Sequence, residues 1–257
     1  MIRRTFTALG LGAVLLAFGV SAQAQEKLRI GTEAAYKPFA YVLPSGELTG
    51  FDIDITKAMC AAMAADCEII NQSFDGLIPA LNSKKIDAII ASMSITEDRL
   101  KAIDFAGPYY TTPALFIAAA DSGLELTDAG LKRKTIGVQR GTTMANYVKA
   151  TFPSARTQFY DTMDAATLDL GSGRVDAVFA DSVVLEEFLA TDQGKGFAAL
   201  GEPVYDKELL GAGAGIGLRK GDDALKAKFN EALAKVIASG EYETINKKYL
   251  NVSILPK

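Results

Sequence analysis

Residues 81–92 match residues 170–181 without a gap, each position displaced by 89 residues, so that Lys85-Ile86-Asp87-Ala88 falls on Arg174-Val175-Asp176-Ala177. The same displacement sets Ser73-Phe74-Asp75 against Thr162-Met163-Asp164. A match that spans a helix, both its flanking turns and a strand points to two similar units in one chain. Helix-turn-strand units also share composition, which is the plainer account of the match. If the repeat is real, Ser92 and Asp181 sit at the carboxyl ends of equivalent strands, the edge where open α/β sheets bind ligands.

The pattern between these segments alternates strand and helix, which argues an α/β fold. Lys27 to Thr32 alternates as a strand, and Ile55, Met59, Ala62 and Met63 recur at helical spacing after Phe51. Cys67 to Asn71 returns to strand, Leu77 to Asn82 reads as a short helix with Pro79 in its first turn, and Asp87 to Ser92 as an apolar strand. The second half repeats the theme: strands Ala114 to Ala120, Thr135 to Gln139, Thr157 to Tyr160 and Ala177 to Ala180, with helices from Met144 and over Thr162 to Leu170. Asp222 to Tyr249 reads as two helices, with Leu225, Phe229, Leu233 and Val236 on one face.

The amino terminus has the layout of a secretory signal: Arg3 and Arg4, a 13-residue apolar run from Ala8 to Val20, then Ala22-Gln23-Ala24. The apolar run is short of the roughly 20 residues that a membrane-spanning helix needs. Residues 1–24 are therefore read as a signal peptide, and export to the periplasm is expected. What remains of the 257 residues is 257 − 24 = 233, enough for two lobes of about 100 each. With Arg3 and Arg4 removed, 25 basic side chains face 31 acidic ones, and no long basic block is present, so nucleic acid is not an expected partner. The chain contains no histidine and two cysteines, which excludes a Ser-His-Asp hydrolase and a four-ligand zinc site; no metal or cofactor is expected. Cys60 and Cys67, seven apart in an exported chain, suit one disulfide, with two buried free thiols as the alternative.

The densest polar signal is Ser92-Met93-Ser94-Ile95-Thr96-Glu97-Asp98-Arg99, at a strand end before a helix. Amides at a helix N-terminus and the planar fork of Arg99 suit a carboxylate. Ser94 and Glu97 also have capping-box spacing, so Ser94 could instead cap the helix. Gln139-Arg140-Gly141-Thr142-Thr143 offers a parallel turn from the second unit. Asp181, ending an apolar strand, suits a ligand ammonium, or else caps a helix. Glu33 could receive a second positive charge, and Tyr36 and Phe74 are candidates to sandwich an aliphatic or guanidinium side chain.

These segments carry a resemblance. Gly31 to Phe39, Gly50 to Asp54, Phe74 to Pro79, Lys85 to Ile90 and Ser94 to Arg99 together resemble periplasmic amino-acid-binding proteins of transporter systems, solute-binding protein family 3, especially the lysine/arginine/ornithine- and histidine-binding members. The resemblance implies the two-lobe, Venus-flytrap architecture of type II. Lobe one is then 25–112 plus 208–257 and lobe two 113–207, with a hinge of two crossings near Thr112 and Lys207. It implies that Arg99, Ser92, Ser94 and Thr143 hold a ligand α-carboxylate and Asp181 the α-ammonium. Glu33 would contact the distal cation, Tyr36 and Phe74 would stack on the side chain, and Gln139 lies in the lobe-two turn. Cys60 and Cys67 look like the disulfide of the basic-amino-acid members. The expected function is capture of arginine, lysine, ornithine or histidine by a monomer that delivers it to an inner-membrane ABC transporter permease. Glu33 is longer than the aspartate of several relatives, and Ala91 replaces a frequent serine. An arginine-derived opine as ligand, or a dehydratase-like enzyme acting on cyclic amino acids, are the alternatives.

Overall fold

Short apolar runs at Ile30, Ala88 to Ile90, Ile136 and Ala177 to Ala180 are buried on both sides, as central strands of a parallel sheet must be. A computed structural model describes residues 27–256. The expected signal peptide, residues 1–24, lies outside the described residues.

In chain order the elements begin with β1 (Lys27–Thr32), β2 (Ala35–Tyr36), β3 (Ala40–Val42), β4 (Leu48–Thr49), α1 (Phe51–Ala62) and β5 (Asp66–Asn71). A 3-10 turn at Phe74–Gly76 leads to α2 (Leu77–Asn82), β6 (Ala88–Ile89), α3 (Glu97–Ala102) and β7 (Ile103–Tyr110). Then come β8 (Ala114–Ala119), β9 (Thr135–Gln139), α4 (Thr143–Thr151), β10 (Arg156–Tyr160), α5 (Met163–Gly171), β11 (Ala177–Asp181), α6 (Ser182–Leu189) and β12 (Phe197–Ala199). The chain closes with β13 (Ala214–Arg219), α7 (Asp223–Ala238) and α8 (Glu241–Tyr249).

Two five-stranded sheets result, ordered β5-β1-β6-β13-β7 and β10-β9-β11-β8-β12, with a small three-stranded sheet β2-β3-β4 beside the first. In each large sheet four strands run in one direction and one runs against them, β13 in the first and β8 in the second. The fold is thus α/β with two sheet-containing lobes. The strands of lobe one come from before residue 111 and from β13, while those of lobe two lie between residues 114 and 199.

The 89-residue displacement is visible in the hydrogen bonds. Asp87 donates its amide to the Arg29 carbonyl (2.7 Å) and accepts the Arg29 amide on Oδ2 (3.1 Å). Asp176, 89 positions later, does the same with Thr135, at 2.8 Å in both directions. Each aspartate also pairs with a nearby cation, Arg29 (3.0 Å) and Lys134 (3.1 Å) respectively. The turn before each strand passes through the left-handed region at matching positions, Lys84 (φ 61°) and Gly173 (φ 71°).

The strand expected over Asp87 to Ser92 is shorter. β6 pairs with β1 only at Ala88 and Ile89, and after Ile90 the chain bends at Ser92, whose φ is 53°. β7, β12 and β13 were not read from the sequence. Lobe one closes around an aromatic cluster: Phe39 stacks on Tyr110 at 4.7 Å, and Phe51 meets Tyr242 edge-on at 5.7 Å. This cluster joins β7, α1 and α8 into one core. Cys60 and Cys67 form a disulfide, tying the last turn of α1 to β5.

Gly50 precedes α1 with φ 125° and ψ 172°, a conformation open essentially to glycine alone. A Cβ there would stand 2.2 Å from the Phe39 carbonyl oxygen. Gly50→Ala should therefore lower stability in urea by about 3 kcal/mol. Gly171→Ala, at the end of α5 with open space around it, should stay within about 0.5 kcal/mol of wild type or gain stability. Equal effects would refute the backbone account.

Candidate functional site

Most of the expected site residues lie at or just past the carboxyl end of a strand, at the cleft between the lobes. Glu33 follows β1, Tyr36 lies in β2, Phe74 opens the 3-10 turn, and Ser92 and Ser94 follow β6. Arg99 lies in the first turn of α3, Gln139 ends β9, Thr143 starts α4 and Asp181 ends β11. Eight of these nine, all but Asp181, line one cavity of about 320 Å³ together with Ala91, Thr142 and Met144. Asp181 lines a larger neighbouring cleft of about 1630 Å³, and the two spaces share Tyr36, Ser92, Ser94 and Met144 as walls.

Arg99 is the centre of the site. Its guanidinium donates to two neutral oxygens, the Ser94 carbonyl (2.8 Å) and, across the cleft, the Gly141 carbonyl (3.0 Å). It also lies 5.5 Å from the Phe74 ring centroid. Among the described residues no carboxylate pairs with it, and burial lowers its pKa to about 10, so it remains charged at neutral pH. A half-buried cation whose partners are all neutral is well placed to receive an anion. The helix cap that competed for Ser94 goes elsewhere: Thr96 caps α3, its hydroxyl accepting the Arg99 amide at 3.2 Å. Ser94 is thereby left to the cavity.

Two buried carboxylates face the opposite requirement. Glu33 accepts the Gln139 amide nitrogen across the cleft at 2.9 Å. Burial outweighs that bond and raises the Glu33 pKa to about 7. Asp181 caps α6 by accepting the Val183 amide (2.9 Å) and takes the Thr112 hydroxyl on its other oxygen. Burial again dominates and raises its pKa to about 7. The cap considered for Asp181 is thus real, and it satisfies the carboxylate without neutralising it. Among the described residues neither acid pairs with a cation, so a positively charged ligand group beside either one would favour the ionised form.

The lobes already touch through several bonds. Besides Glu33 with Gln139 and Arg99 with Gly141, Lys37 pairs with Glu187 at 2.6 Å on the rim. Thr142, which was not among the expected residues, caps α4 through the Ala145 amide (3.4 Å) and holds the turn by donating to the Gln139 carbonyl (2.7 Å). Met144 adds an apolar wall. Asp52 and Thr112 were also missed. Asp52 sits at an inward position of α1, and an acid among Phe51, Ile55 and Met59 was the available signal. Thr112 carries none, since its role depends on the crossing that brings it to Asp181. Among the described residues no group of three or more His, Cys, Asp or Glu is placed to hold a metal ion.

Known proteins are similar to this chain over most of its length. The family model described as bacterial extracellular solute-binding proteins, family 3, matches residues 28–252. An L-arginine-binding protein of Pseudomonas aeruginosa is 45% identical over 234 residues, covering 90% of each chain. The lysine/arginine/ornithine-binding periplasmic protein of Escherichia coli is 40% identical over 232 residues, covering 89% of each. Among solved structures, a Salmonella typhimurium periplasmic binding protein described for high arginine specificity superposes with a TM-score of 0.82 at 36% identity, covering 88% of this chain and 100% of that one.

The raised carboxylates fix a pH dependence. Glu33 and Asp181 hold protons in the folded state up to about pH 7, whereas in the unfolded chain they release them near pH 4. Between those values the folded state binds more protons, so stability falls as pH rises. Asp52, raised to about 6, and Asp164, raised by burial, act in the same direction. Urea titrations of ligand-free protein should show lower stability at pH 7.5 than at pH 5, each fully responding group adding a slope of up to about 1.4 kcal/mol per pH unit. Glu33→Gln and Asp181→Asn should each flatten it; an unchanged slope in both would contradict the assignment.

Proposed function

Since the chain belongs to the bacterial extracellular solute-binding proteins of family 3, we propose that it captures a cationic amino acid, arginine foremost, for an ABC-type uptake system. The observation that carries this reading is the division of buried charge in the cleft. Among the described residues Arg99 has only neutral partners, while Glu33 and Asp181 have no cation. A free cationic amino acid supplies one anion and two cations, which is the complement of that set. The relatives named above for arginine and for lysine, arginine and ornithine support the same ligand class.

In this reading Arg99, with Ser94 and Thr143, receives the α-carboxylate, Asp181 the α-ammonium and Glu33 the distal cation, while Tyr36 and Phe74 flank the side chain. Gln139 helps by holding Glu33 in place. Lobe one comprises 25–112 and 208–257, lobe two 113–207, and the crossings near Thr112 and Lys207 act as the hinge. Closing the lobes brings Arg99 and Glu33 of one into reach of Asp181 and Thr143 of the other, so the ligand favours the shut state because only there are all its charges matched. Residues 1–24 direct export, and the mature chain works in the periplasm as a monomer that hands its ligand to an inner-membrane permease. It acts by binding and release rather than by catalysis, a reading supported by relatives named as binding proteins.

Calorimetry on the mature protein, freed of carried-over ligand, tests this directly. Arginine, lysine, ornithine and histidine should bind more tightly than glutamine. Arg99→Ala and Asp181→Ala should each weaken arginine by about 2 to 5 kcal/mol, because each leaves a ligand charge buried and unpaired. Glu33→Gln should penalise arginine more than glutamine. Titrations unaffected by the first two changes would sink the site assignment; equal losses from the third would show that Glu33 does not read the side chain.

A further inference from the structure

Beneath the cavity floor, lobe one contains a closed ring of hydrogen bonds that the charge complement does not use. Asp52, fully buried in the first turn of α1, accepts the Tyr109 hydroxyl on Oδ1 (2.9 Å) and the Ser92 hydroxyl on Oδ2 (3.0 Å). The Tyr109 oxygen in turn accepts the Ser92 amide at 3.0 Å. Tyr109 is itself held from behind by Tyr242, whose hydroxyl donates to the Tyr109 carbonyl at 2.7 Å. No cation contributes to this ring.

A serine owns two donors, its amide and its hydroxyl, and here both point down into lobe one. An ionised carboxylate only accepts, so the Ser92 hydroxyl proton cannot turn toward the cleft while Asp52 holds it. Ser92 nevertheless lines both the small cavity and the neighbouring cleft that contains Asp181. Its φ of 53° is unusual for a residue other than glycine, and the three-membered ring keeps it there. What remains to face a ligand is acceptor capacity alone.

We propose that Asp52 is a positioning residue for ligand selectivity: by taking the Ser92 hydroxyl proton it makes Ser92 an obligate acceptor, matched to the ligand's ammonium and not to its carboxylate. This deepens the amino-acid-binding reading above and rests on it. It departs from the assignment of Ser92 to the carboxylate that the family resemblance implied. The site then sorts its groups by polarity, with Arg99 donating on one side and Ser92 joining Asp181 as acceptors on the other.

Asp52→Asn reverses this polarity at nearly constant shape. The asparagine carbonyl keeps the Tyr109 hydroxyl, and its amide nitrogen then faces Ser92 and must donate, which turns the Ser92 proton into the cleft. The opposite amide orientation would leave the Tyr109 proton without an acceptor. The readout is the ratio of affinities for arginine and for 5-guanidinopentanoate, which is arginine without its α-ammonium, measured by calorimetry on the mature protein. Asp52→Asn and Ser92→Ala should each shrink the wild-type ratio by roughly 10- to 100-fold, the scale of one hydrogen bond to a charged group. The double variant should shrink it no further than Ser92→Ala alone. Tyr109→Phe, which leaves the bond from Ser92 to Asp52 in place, should keep the ratio within about threefold even if it lowers stability. Equal losses for both probes in Asp52→Asn overturn the proposal, as does additivity in the double variant. If the Asp52 variant does not fold, Ser92→Ala decides: loss shared equally by the two probes overturns it. A wild type that binds neither probe overturns the amino-acid reading itself, and this proposal with it.

Discussion

Charge held away from water without an opposite charge is the constraint that organises the cleft. Arg99 on one side, and Glu33 and Asp181 on the other, are each hydrogen-bonded to neutral groups and each displaced in pKa by burial. Hydrogen bonds reduce the penalty of desolvation but do not cancel it, and an ion in a low-dielectric site still lacks several kcal/mol of the solvation it had in water. The three residues cannot relieve one another, because the frame holds them at separate strand ends. The ligand-free site therefore carries stored electrostatic cost, and a molecule with complementary charges recovers it on binding. This explains why the acids sit near neutrality in pKa: each is held between the proton, which it can take alone, and a cation, which it must be given.

That arrangement depends on two rigid frames. The reciprocal bonds of Asp87 with Arg29 and of Asp176 with Thr135 lock the central strand of each lobe to its neighbour at the end opposite the cleft. Locking the strand root fixes where its carboxyl end emerges, and so where Ser92 and Asp181 stand. The lobes differ at those tips in a way the repeat does not foresee. Ser92 turns into the left-handed region and binds down into its own lobe, whereas Asp181 continues with ordinary geometry into α6, which it caps. One framework thus delivers two different chemistries to facing edges.

Much of this was legible in the residues, for physical reasons that can be named. The strand-helix alternation survived because burial on both faces imposes continuous apolar runs, as at Ile136 and Ala177 to Ala180. The repeat identified the equivalent strand ends, and residues such as Arg99 and Glu33 stood out because an ionised group near an apolar run has few uses other than recognition. The sequence reading failed where a partner came from far along the chain. β7 and β13 pair with each other, and their residues are 103–110 and 214–219, so neither strand shows its neighbour locally. Whether Ser94 caps α3 or faces a ligand could not be separated until the backbone placed Thr96 at the cap, since capping-box spacing alone permits either. Asp52 fell only within the Gly50 to Asp54 segment in the sequence, because its burial depends on Tyr109 and Ser92, 57 and 40 positions away.

The placement of β13 has a consequence for the order in which the molecule can be built. Lobe two draws all its strands from one continuous stretch, but the sheet of lobe one leaves a gap between β6 and β7 that only β13 fills. More than one hundred residues separate β7 from the strand that bridges it to β6, and closing a loop of that size is an entropic toll levied on lobe one alone. A chain emerging amino end first can finish lobe two while lobe one still shows two open strand edges to its surroundings. Such edges are where stray pairing begins, so the same strand that completes the ligand-reading half also covers the facing edges of β6 and β7, leaving β5 and β7 as the sheet's outer strands.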